Sequence, residues 1–344
     1  MRTLGFDTSN YTTSVAAFDG RAGENLSRLL PVAPGALGLR QSEALFSHVK
    51  RLPELSDRLF ASLPTAEIAA VGVSTRPRAV EGSYMPCFLA GESQARVLAS
   101  ALHVPLYAFS HQQGHIAAVL YSAGRMDLLG TDFLAWHLSG GTTELLLVRT
   151  TAEGEIACEK LGGTTDISAG QLIDRTGKLL GLAFPAGKAL DELAGSVSEN
   201  LPCLQGRGTG LKAGGGVAPE WFRVKVNGTE FSLSGVQNQV QAYRETGASE
   251  AETAYFALRS VVEAVKKATR NAQKAHPLPV LFSGGVASNS LLRRQMPEAI
   301  FGEPRYSTDN ALGIAVLTWL QYRKQNSGNV GTSIACPPIT ESYG

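Results

Sequence analysis

The feature that most constrains this chain is a strand–turn–strand pattern that occurs twice. Leu4–Ser9 and Thr13–Phe18 read as two apolar strands around a polar turn. Phe133–Leu138 and Glu144–Val148 repeat the layout around Ser139-Gly140-Gly141-Thr142-Thr143. The likeness is one of pattern and not of identity. After the first hairpin the chain alternates. A helical stripe carries Leu45, Val49, Leu52, Leu55 and Leu59, interrupted or kinked at Pro53. Ile68–Ser74 is a short strand, and Glu92–Leu102 is a helix with Ala95, Leu98, Ala99 and Leu102 inward. Val104–Phe109 is a further strand. Such alternation argues an α/β fold. Two passes of one theme in 344 residues predict a bilobal molecule with a cleft between its halves.

The second pass continues through a Gly/Thr loop and helix within residues 162–182, a break at Pro185-Ala186-Gly187, and a short helix with Leu190 and Leu193. Residues 31–38 and 203–219 are rich in Gly or Pro and read as irregular. Asn227-Gly228 marks a hairpin. The longest helix runs from about Ala251 to Ala275, with Ala254, Leu258, Val261, Val265 and Ala268 inward. Val280–Phe282 is a strand, the last helix carries Leu312, Ala315, Val316, Trp319 and Leu320, and disorder is expected over 326–344.

Net charge is +1, so no bulk pull toward DNA, RNA or anionic membrane is expected. The four cysteines are scattered and form no C-x-x-C pair, so neither a zinc ribbon nor a disulfide framework is indicated, and a reducing cytoplasm fits. The start shows no leader pattern, and no apolar run is long enough to span a membrane.

Ser110-His111-Gln112-Gln113-Gly114-His115 carries the sharpest chemistry. Histidines at i and i+4 share one helical face and can hold one metal ion. At a helix start the macrodipole disfavours imidazolium, so both rings are expected to be neutral. The zinc-hydrolase pattern H-E-x-x-H places a Glu between its histidines; here the interval holds none. The plainer reading is two polar residues at a helix start capped by Ser110. Asp309 is either an N-cap of the last helix or a carboxylate completing a two-His, one-carboxylate site. His48, His103, His137 and His276 lack such spacing and read as ordinary surface or partly buried residues.

Three turns can meet phosphate. Ser139-Gly140-Gly141-Thr142-Thr143 offers backbone N–H groups and hydroxyls, or is a plain Gly-rich hairpin. Ser283-Gly284-Gly285-Val286-Ala287-Ser288-Asn289 lies between strand and helix, where a nucleotide can sit. Asp7-Thr8-Ser9 holds phosphate or its metal, or is an Asx turn. Asp166 reads as a cap of the helix that follows it, while Asp174 falls inside that helix and needs another reason.

In their joint order these motifs resemble the tRNA adenosine threonylcarbamoyltransferase family, long labelled glycoprotease or O-sialoglycoprotein endopeptidase. The resemblance runs from about Arg2 to Leu320. It rests on Gly5-Phe6-Asp7-Thr8-Ser9, Pro105-Leu106, Ser110-His111-x-x-Gly114-His115 and Leu138-Ser139-Gly140-Gly141-x-Thr143. Asp166-x-x-x-Gly170-x-x-x-Asp174, Leu180-Gly181-Leu182-x-x-Pro185-x-Gly187 and Phe231-Ser232-x-Ser234-Gly235 continue it. Gly284-Gly285-Val286-Ala287-x-Asn289 and Ser307-Thr308-Asp309-Asn310-Ala311 close it.

The resemblance implies a duplicated actin/sugar-kinase/Hsp70-like (ribonuclease H-like) fold. One lobe would take residues 1–109, a metal-binding crossover 110–132, and a second lobe 133–325. It implies one divalent metal ion, iron or zinc, on His111, His115 and Asp309. It implies an adenine nucleotide or threonylcarbamoyl-adenylate at Leu138, Ser139, Gly140, Gly141, Thr142, Asp174, Gly187 and Asn289, with the Gly284-Gly285 turn beside them. In the family that adenylate gives its acyl-like group to an adenosine amine of tRNA, and a paralogous subunit of the same fold is a possible partner.

The chain departs from the family at several places. An acidic opening motif has become Asp7-Thr8-Ser9-Asn10-Tyr11-Thr12-Thr13, and Gly-Pro-Gly is Arg76-Pro77-Arg78. Thr142 replaces a His, Ile167 an Asp, Gln171 a Glu, Arg175 a Lys and Gln237 a Lys. Two further readings follow: a non-catalytic nucleotide- and metal-binding paralog, or a phosphotransferase of the same fold. The peptidase label lacks a general base at the histidine pair.

Overall fold

The computed structural model describes residues 1–9, 11–31, 39–150, 156–197, 224–307 and 309–326. The expected irregular stretch 203–219, nearly all of 31–38 and the tail beyond Asn326 lie outside them.

The described residues of Met1–Asp132, Val148–Cys158 and Gly302–Gly344 form one compact unit; those of Phe133–Leu147 and Glu159–Phe301 form a second. The first is built on a five-stranded sheet. Its strands are β1 (Arg2–Asp7), β2 (Thr12–Phe18), β3 (Gly23–Leu29), β4 (Ile68–Arg76) and β5 (Leu106–Ser110), in the order β3-β2-β1-β4-β5. β1 is antiparallel to β2 and parallel to β4, and β4 is parallel to β5. Apolar residues of β1 and β4 are buried on both faces, as central strands require. β3 is an edge strand with a polar sequence, which hides it from a hydrophobic-pattern search.

Helix α1 (Gln41–Phe60) runs unbroken through Pro53. Its buried row is Ala44, His48, Leu52, Leu55 and Leu59, so Val49 faces outward, at 53% exposure. His48 fills the apolar row because its Nδ1 meets Thr13 Oγ1 at 2.8 Å. It is therefore a core residue, as is His137 in the second unit, and the surface expectation fails for both. α2 (Phe88–Leu102) and α3 (His111–Ser122) follow.

The second unit has a seven-stranded sheet: β6 (Phe133–Leu138), β7 (Thr143–Thr150), β8 (Ile156–Thr164), β9 (Val226–Asn227), β10 (Glu230–Phe231), β11 (Val280–Ser283) and β12 (Ile300–Phe301). Five of them stand in the order β8-β7-β6-β11-β12, and β6, β11 and β12 are mutually parallel. This is the β3-β2-β1-β4-β5 arrangement over again, so the paired hairpins do mark a structural repeat. β9 and β10 form the expected Asn-Gly hairpin beyond β8. Among the described residues, helices α4 (Ala169–Leu179), α5 (Gly187–Gly195), α6 (Ser234–Glu245), α7 (Glu250–Ala275) and α8 (Ser290–Gln295) belong to the same unit. The inward row of α7 packs into the core around Trp136, Phe256 and Phe282. Trp136 is fully buried and its Nε1–H donates to Thr269 Oγ1 at 2.8 Å. Losing that acceptor strands an indole N–H, at a cost of about 1–3 kcal/mol.

The one-turn helix α9 (Pro304–Ser307) and the last helix, α10 (Leu312–Asn326), return to the first unit, where α10 packs on β1, β4 and α3. The sequence reading groups this helix with the second lobe. Gly5 and Gly72 explain its position. A Cβ on Gly5 would lie 2.4 Å from Ala311 O, and one on Gly72 1.8 Å from Thr318 Oγ1. Glycine in the strands leaves room for the backbone leading into the helix at Gly5 and for the Thr318 side chain at Gly72.

Candidate metal and nucleotide sites

The first unit gathers the metal-type residues. β1, β4 and β5 are parallel, so Asp7 and Ser110 both lie at carboxyl ends of strands. Ser110 closes β5 and caps α3: its Oγ accepts from Gln113 N at 3.2 Å, and Gln113 Oε1 accepts from Ser110 N at 2.7 Å. This capping box fixes the first helical residue as His111, and His115 follows one turn later. Their ring centroids are 4.3 Å apart.

Asp309 reaches the same place from just ahead of α10. Its Oδ1 lies 3.2 Å from His115 Nε2 and 3.5 Å from His111 Nε2. The capping role falls to its neighbour: Asn310 Oδ1 accepts from Leu312 N at 3.1 Å. That frees the Asp309 carboxylate to face the histidines. The three residues each offer one ligand atom, and those atoms lie within 4.8 Å of one another. Two imidazoles and one carboxylate are a donor set for iron or zinc.

Asp7 takes a position that the sequence reading missed. Its Oδ2 is 2.8 Å from His111 Nδ1, and its Oδ1 accepts from Ser9 N at 2.9 Å. The Asx turn is therefore present, but the second oxygen serves His111. Burial alone would raise the Asp7 carboxyl, yet the coulombic pull and hydrogen bond of His111 hold it below the usual range. Burial opposes a charge on His111 as well, but Asp7 and then Asp309 outweigh it and push that imidazole up to about 10. His115 goes down, through burial and the neighbouring His111. Asp309 is lowered despite burial, by hydrogen bonds from both histidines. The sequence reading expected both rings to be neutral; in the metal-free site the shift at His115 runs with that expectation and the shift at His111 against it. A carboxylate at 2.8 Å outweighs the half-charge of a helix terminus. Two carboxylates around one imidazole make a place that calls for a cation, which suits a divalent metal.

The second unit gathers the nucleotide-type residues. Leu138 ends β6, and the turn closes with Ser139 N donating to Thr142 O at 2.8 Å and Thr142 N to Ser139 Oγ at 3.1 Å. Gly284 has φ +89°, and a Cβ on it would lie 2.2 Å from Leu138 O. The turn before Asn289, in which Gly285–Ser288 form one 3₁₀ turn, is thus pressed onto the end of β6. Ser168 Oγ donates to Gly140 O at 2.6 Å and draws the start of α4 to the same turn. Among the described residues a Cβ on Gly140, Gly141 or Gly187 would meet nothing within 4 Å, so there these three border open space.

The remaining polar candidates are tied to the protein. Asn289 Oδ1 accepts from Leu292 N at 2.9 Å, and its Nδ2 donates to Asp191 Oδ1 at 2.7 Å. Asp191, on α5, also accepts from Ser290 N at 2.9 Å. It carried no sequence signal, since its partners lie almost a hundred residues away. Asp174 Oδ1 accepts from Ala186 N at 2.9 Å, the reason for its place inside α4. Burial raises its carboxyl. Asp166 does not cap α4, where Ser168 does. It accepts instead from Leu233 N at 2.8 Å and Ser234 N at 3.2 Å, at the start of α6.

Comparison with known proteins bears on the family and the fold. The TsaD family model, tRNA N6-adenosine threonylcarbamoyltransferase, matches residues 38–316. The tRNA N6-adenosine threonylcarbamoyltransferase of Carboxydothermus hydrogenoformans is 30% identical over 292 residues, covering 80% of this chain and 78% of that protein. The activator of 2-hydroxyisocaproyl-CoA dehydratase from Clostridium difficile, solved with ADPNP, has a TM-score of 0.52 at 12% identity, over 96% of this chain and 100% of that one. Full-length HypF in its phosphate- and nucleotide-bound form has a TM-score of 0.55 at 12% identity, over 95% of this chain and 56% of that one. At such identities the structural likeness is one of fold, the actin/sugar-kinase/Hsp70-like fold.

Proposed function

The chain belongs to the tRNA N6-adenosine threonylcarbamoyltransferase family, and on that premise we propose that it is a metal-dependent transferase that moves a threonylcarbamoyl group from an adenylate donor to an adenosine of tRNA. The observation that carries the reading is the convergence of His111, His115 and Asp309 on one point. These three residues would hold one iron or zinc ion. Bound there, the ion supplies Lewis acidity to a carbonyl oxygen.

In the reaction, the adenosine amine attacks the carbamoyl carbon, a C–N bond forms, the bond to the adenylate phosphate oxygen breaks, and the amine gives up a proton. The nucleophile is an amine and not an activated water, so the histidine helix has no need of a Glu in its Gln112-Gln113-Gly114 interval. In the second unit the open glycines Gly140, Gly141 and Gly187 would admit the nucleotide to the backbone. Leu138, Ser139 and Thr142 would shape that turn, Gly284 and Gly285 back it, and Asp174 and Asn289 line it.

The phosphotransferase reading needs a catalytic carboxylate beyond Asp7, and the sequence offers no obvious one; Asp7 itself is engaged by His111 and Ser9. The reading of a non-catalytic subunit is favoured by the changed residues Thr142, Ile167 and Gln171 and opposed by the intact ligand set. Exposed Arg76 ends β4 and exposed Arg78 follows it, beside the start of α3, where Pro77 O accepts from Gln112 N at 3.1 Å. They would contact an anionic substrate such as tRNA. A subunit of the same fold remains the proposed partner, in a cytoplasmic setting. Among the described residues no helix is long and apolar enough to cross a membrane.

Metal analysis tests the site. Wild-type protein should carry one equivalent of iron or zinc, and His111→Ala or Asp309→Ala should lose it. Unchanged content in both variants would remove the ligand set.

A further inference from the structure

We infer that Asp7 is a positioning residue of the metal centre: its carboxylate holds the Nδ1 proton of His111 and thereby fixes Nε2 as the atom offered to the ion. The inference deepens the metal reading above and rests on it.

The two nitrogens of His111 face different partners. Nδ1 lies 2.8 Å from Asp7 Oδ2, while Nε2 lies 3.5 Å from Asp309 Oδ1. A neutral imidazole carries one N–H, and its other nitrogen ligates; a carboxylate at Nδ1 selects which is which. Asp7 is itself rigid. It ends β1, which is flanked by β2 and β4, and its side chain is 1% exposed. Its Oδ1 is occupied by Ser9 N at 2.9 Å. The next residue is pinned to the start of α2, where Thr8 Oγ1 donates to Cys87 O at 3.0 Å and accepts from Gly91 N at 3.1 Å. The ring of Phe88 stands edge-on to His111, with centroids 6.3 Å apart, and limits rotation of the imidazole.

Charge leads to the same role. Asp7 and Asp309 together bring two negative charges, which a divalent ion with two neutral histidines balances. A charged partner also makes the imidazole a stronger ligand than a carbonyl partner would. Asp7 therefore contributes to metal affinity without touching the ion.

Zinc titration against a competing chelator tests this on the full chain at neutral pH. Asp7→Ala should weaken Zn(II) binding by about 10–100-fold, with the fold checked by circular dichroism of the metal-free protein. Asp7→Asn keeps an acceptor but loses the charge, and should fall between Asp7→Ala and wild type. A long-range proton–nitrogen NMR spectrum of zinc-loaded wild type needs no variant: it should show His111 protonated at Nδ1 and metallated at Nε2. Ligation through Nδ1, or zinc affinity within about twofold of wild type in both variants, overturns the inference and leaves the metal reading standing. A wild-type chain that binds no zinc or iron removes the metal reading and the inference together.

Discussion

Gly313 stands against the backbone of Gly114: a Cβ on Gly313 would lie 1.8 Å from the Gly114 carbonyl oxygen. The contact joins the first turn of α10 to the middle of the His111-x-x-x-His115 segment. Asp309 precedes α10 by three residues, so this close approach sets how near its carboxylate comes to the two histidines.

The two glycines should respond differently to substitution. Gly313→Ala drives a methyl group into backbone and should destabilise by about 1–3 kcal/mol, with weaker metal binding because Asp309 is pushed away. Gly114→Ala meets first the Ile314 Cδ1 atom, at 2.8 Å, the mobile end of a side chain. Its steric cost is offset by the better helix propensity of Ala, about 1 kcal/mol. Urea unfolding and zinc titration of both proteins check this; equal losses would contradict it.

The glycines of the second unit separate binding from folding in the same way. Gly284→Ala puts a side chain at φ +89° and into Leu138 O, and should cost several kcal/mol, roughly the upper range for overpacking. Gly140→Ala enters open space and should leave the melting temperature within about 2 °C of wild type. It should nonetheless weaken adenine-nucleotide binding about tenfold, read by calorimetry, because a methyl group then stands where phosphate oxygens approach. Unchanged affinity in Gly140→Ala and Gly141→Ala alike would place the nucleotide elsewhere.

Asp166 should give the acid limb of stability a recognisable contribution. Burial alone would raise this carboxyl, but hydrogen bonds from Ser232, Ser234 and Leu233 hold it well below the usual range. A depressed carboxyl stabilises the fold at pH above its unfolded value, about 3.9, and that stabilisation fades as pH falls below it. The group is exposed, so solvent screening limits the effect to about 1 kcal/mol. Asp166→Asn should be less stable than wild type at pH 7 by that amount, and the gap should close toward pH 3. A gap independent of pH would assign the loss to packing.

Much of the architecture was legible because it rests on apolar periodicity. The hairpins at Thr12–Phe18 and Thr143–Thr150 alternate with long helices whose inward rows, such as Ala254, Leu258, Val261 and Val265, are continuous. β3, β8 and α6 were missed where polarity or glycine masks the pattern. β8 ends in Gly162-Gly163-Thr164, and α6 shows its stripe only in Val236, Val240 and Tyr243 among polar residues. His48 displaced the inward row of α1 because a buried hydroxyl partner, Thr13, makes a polar residue admissible in the core.

For the candidate sites, spacing found the histidine pair, and motif order brought Asp309 to it across almost two hundred residues. Sequence offered no such route to the bond between Asp7 and His111, which depends on β1 and β5, parallel strands on either side of β4, ending at the same edge of the sheet. Nor did it reveal Asp191 behind Asn289. The division of roles between Asp309 and Asn310, one facing histidines and the other capping α10, was open until their side chains were placed.

Transfer itself is the most direct test of the central claim. Purified protein with bound metal, its partner proteins, threonylcarbamoyl-adenylate and unmodified tRNA should yield threonylcarbamoyl-adenosine on nucleoside mass spectrometry, and His111→Ala should abolish the product. No modified adenosine from the wild-type chain, under conditions where a standard family member modifies the same tRNA, would contradict the transferase and leave the non-catalytic subunit in its place.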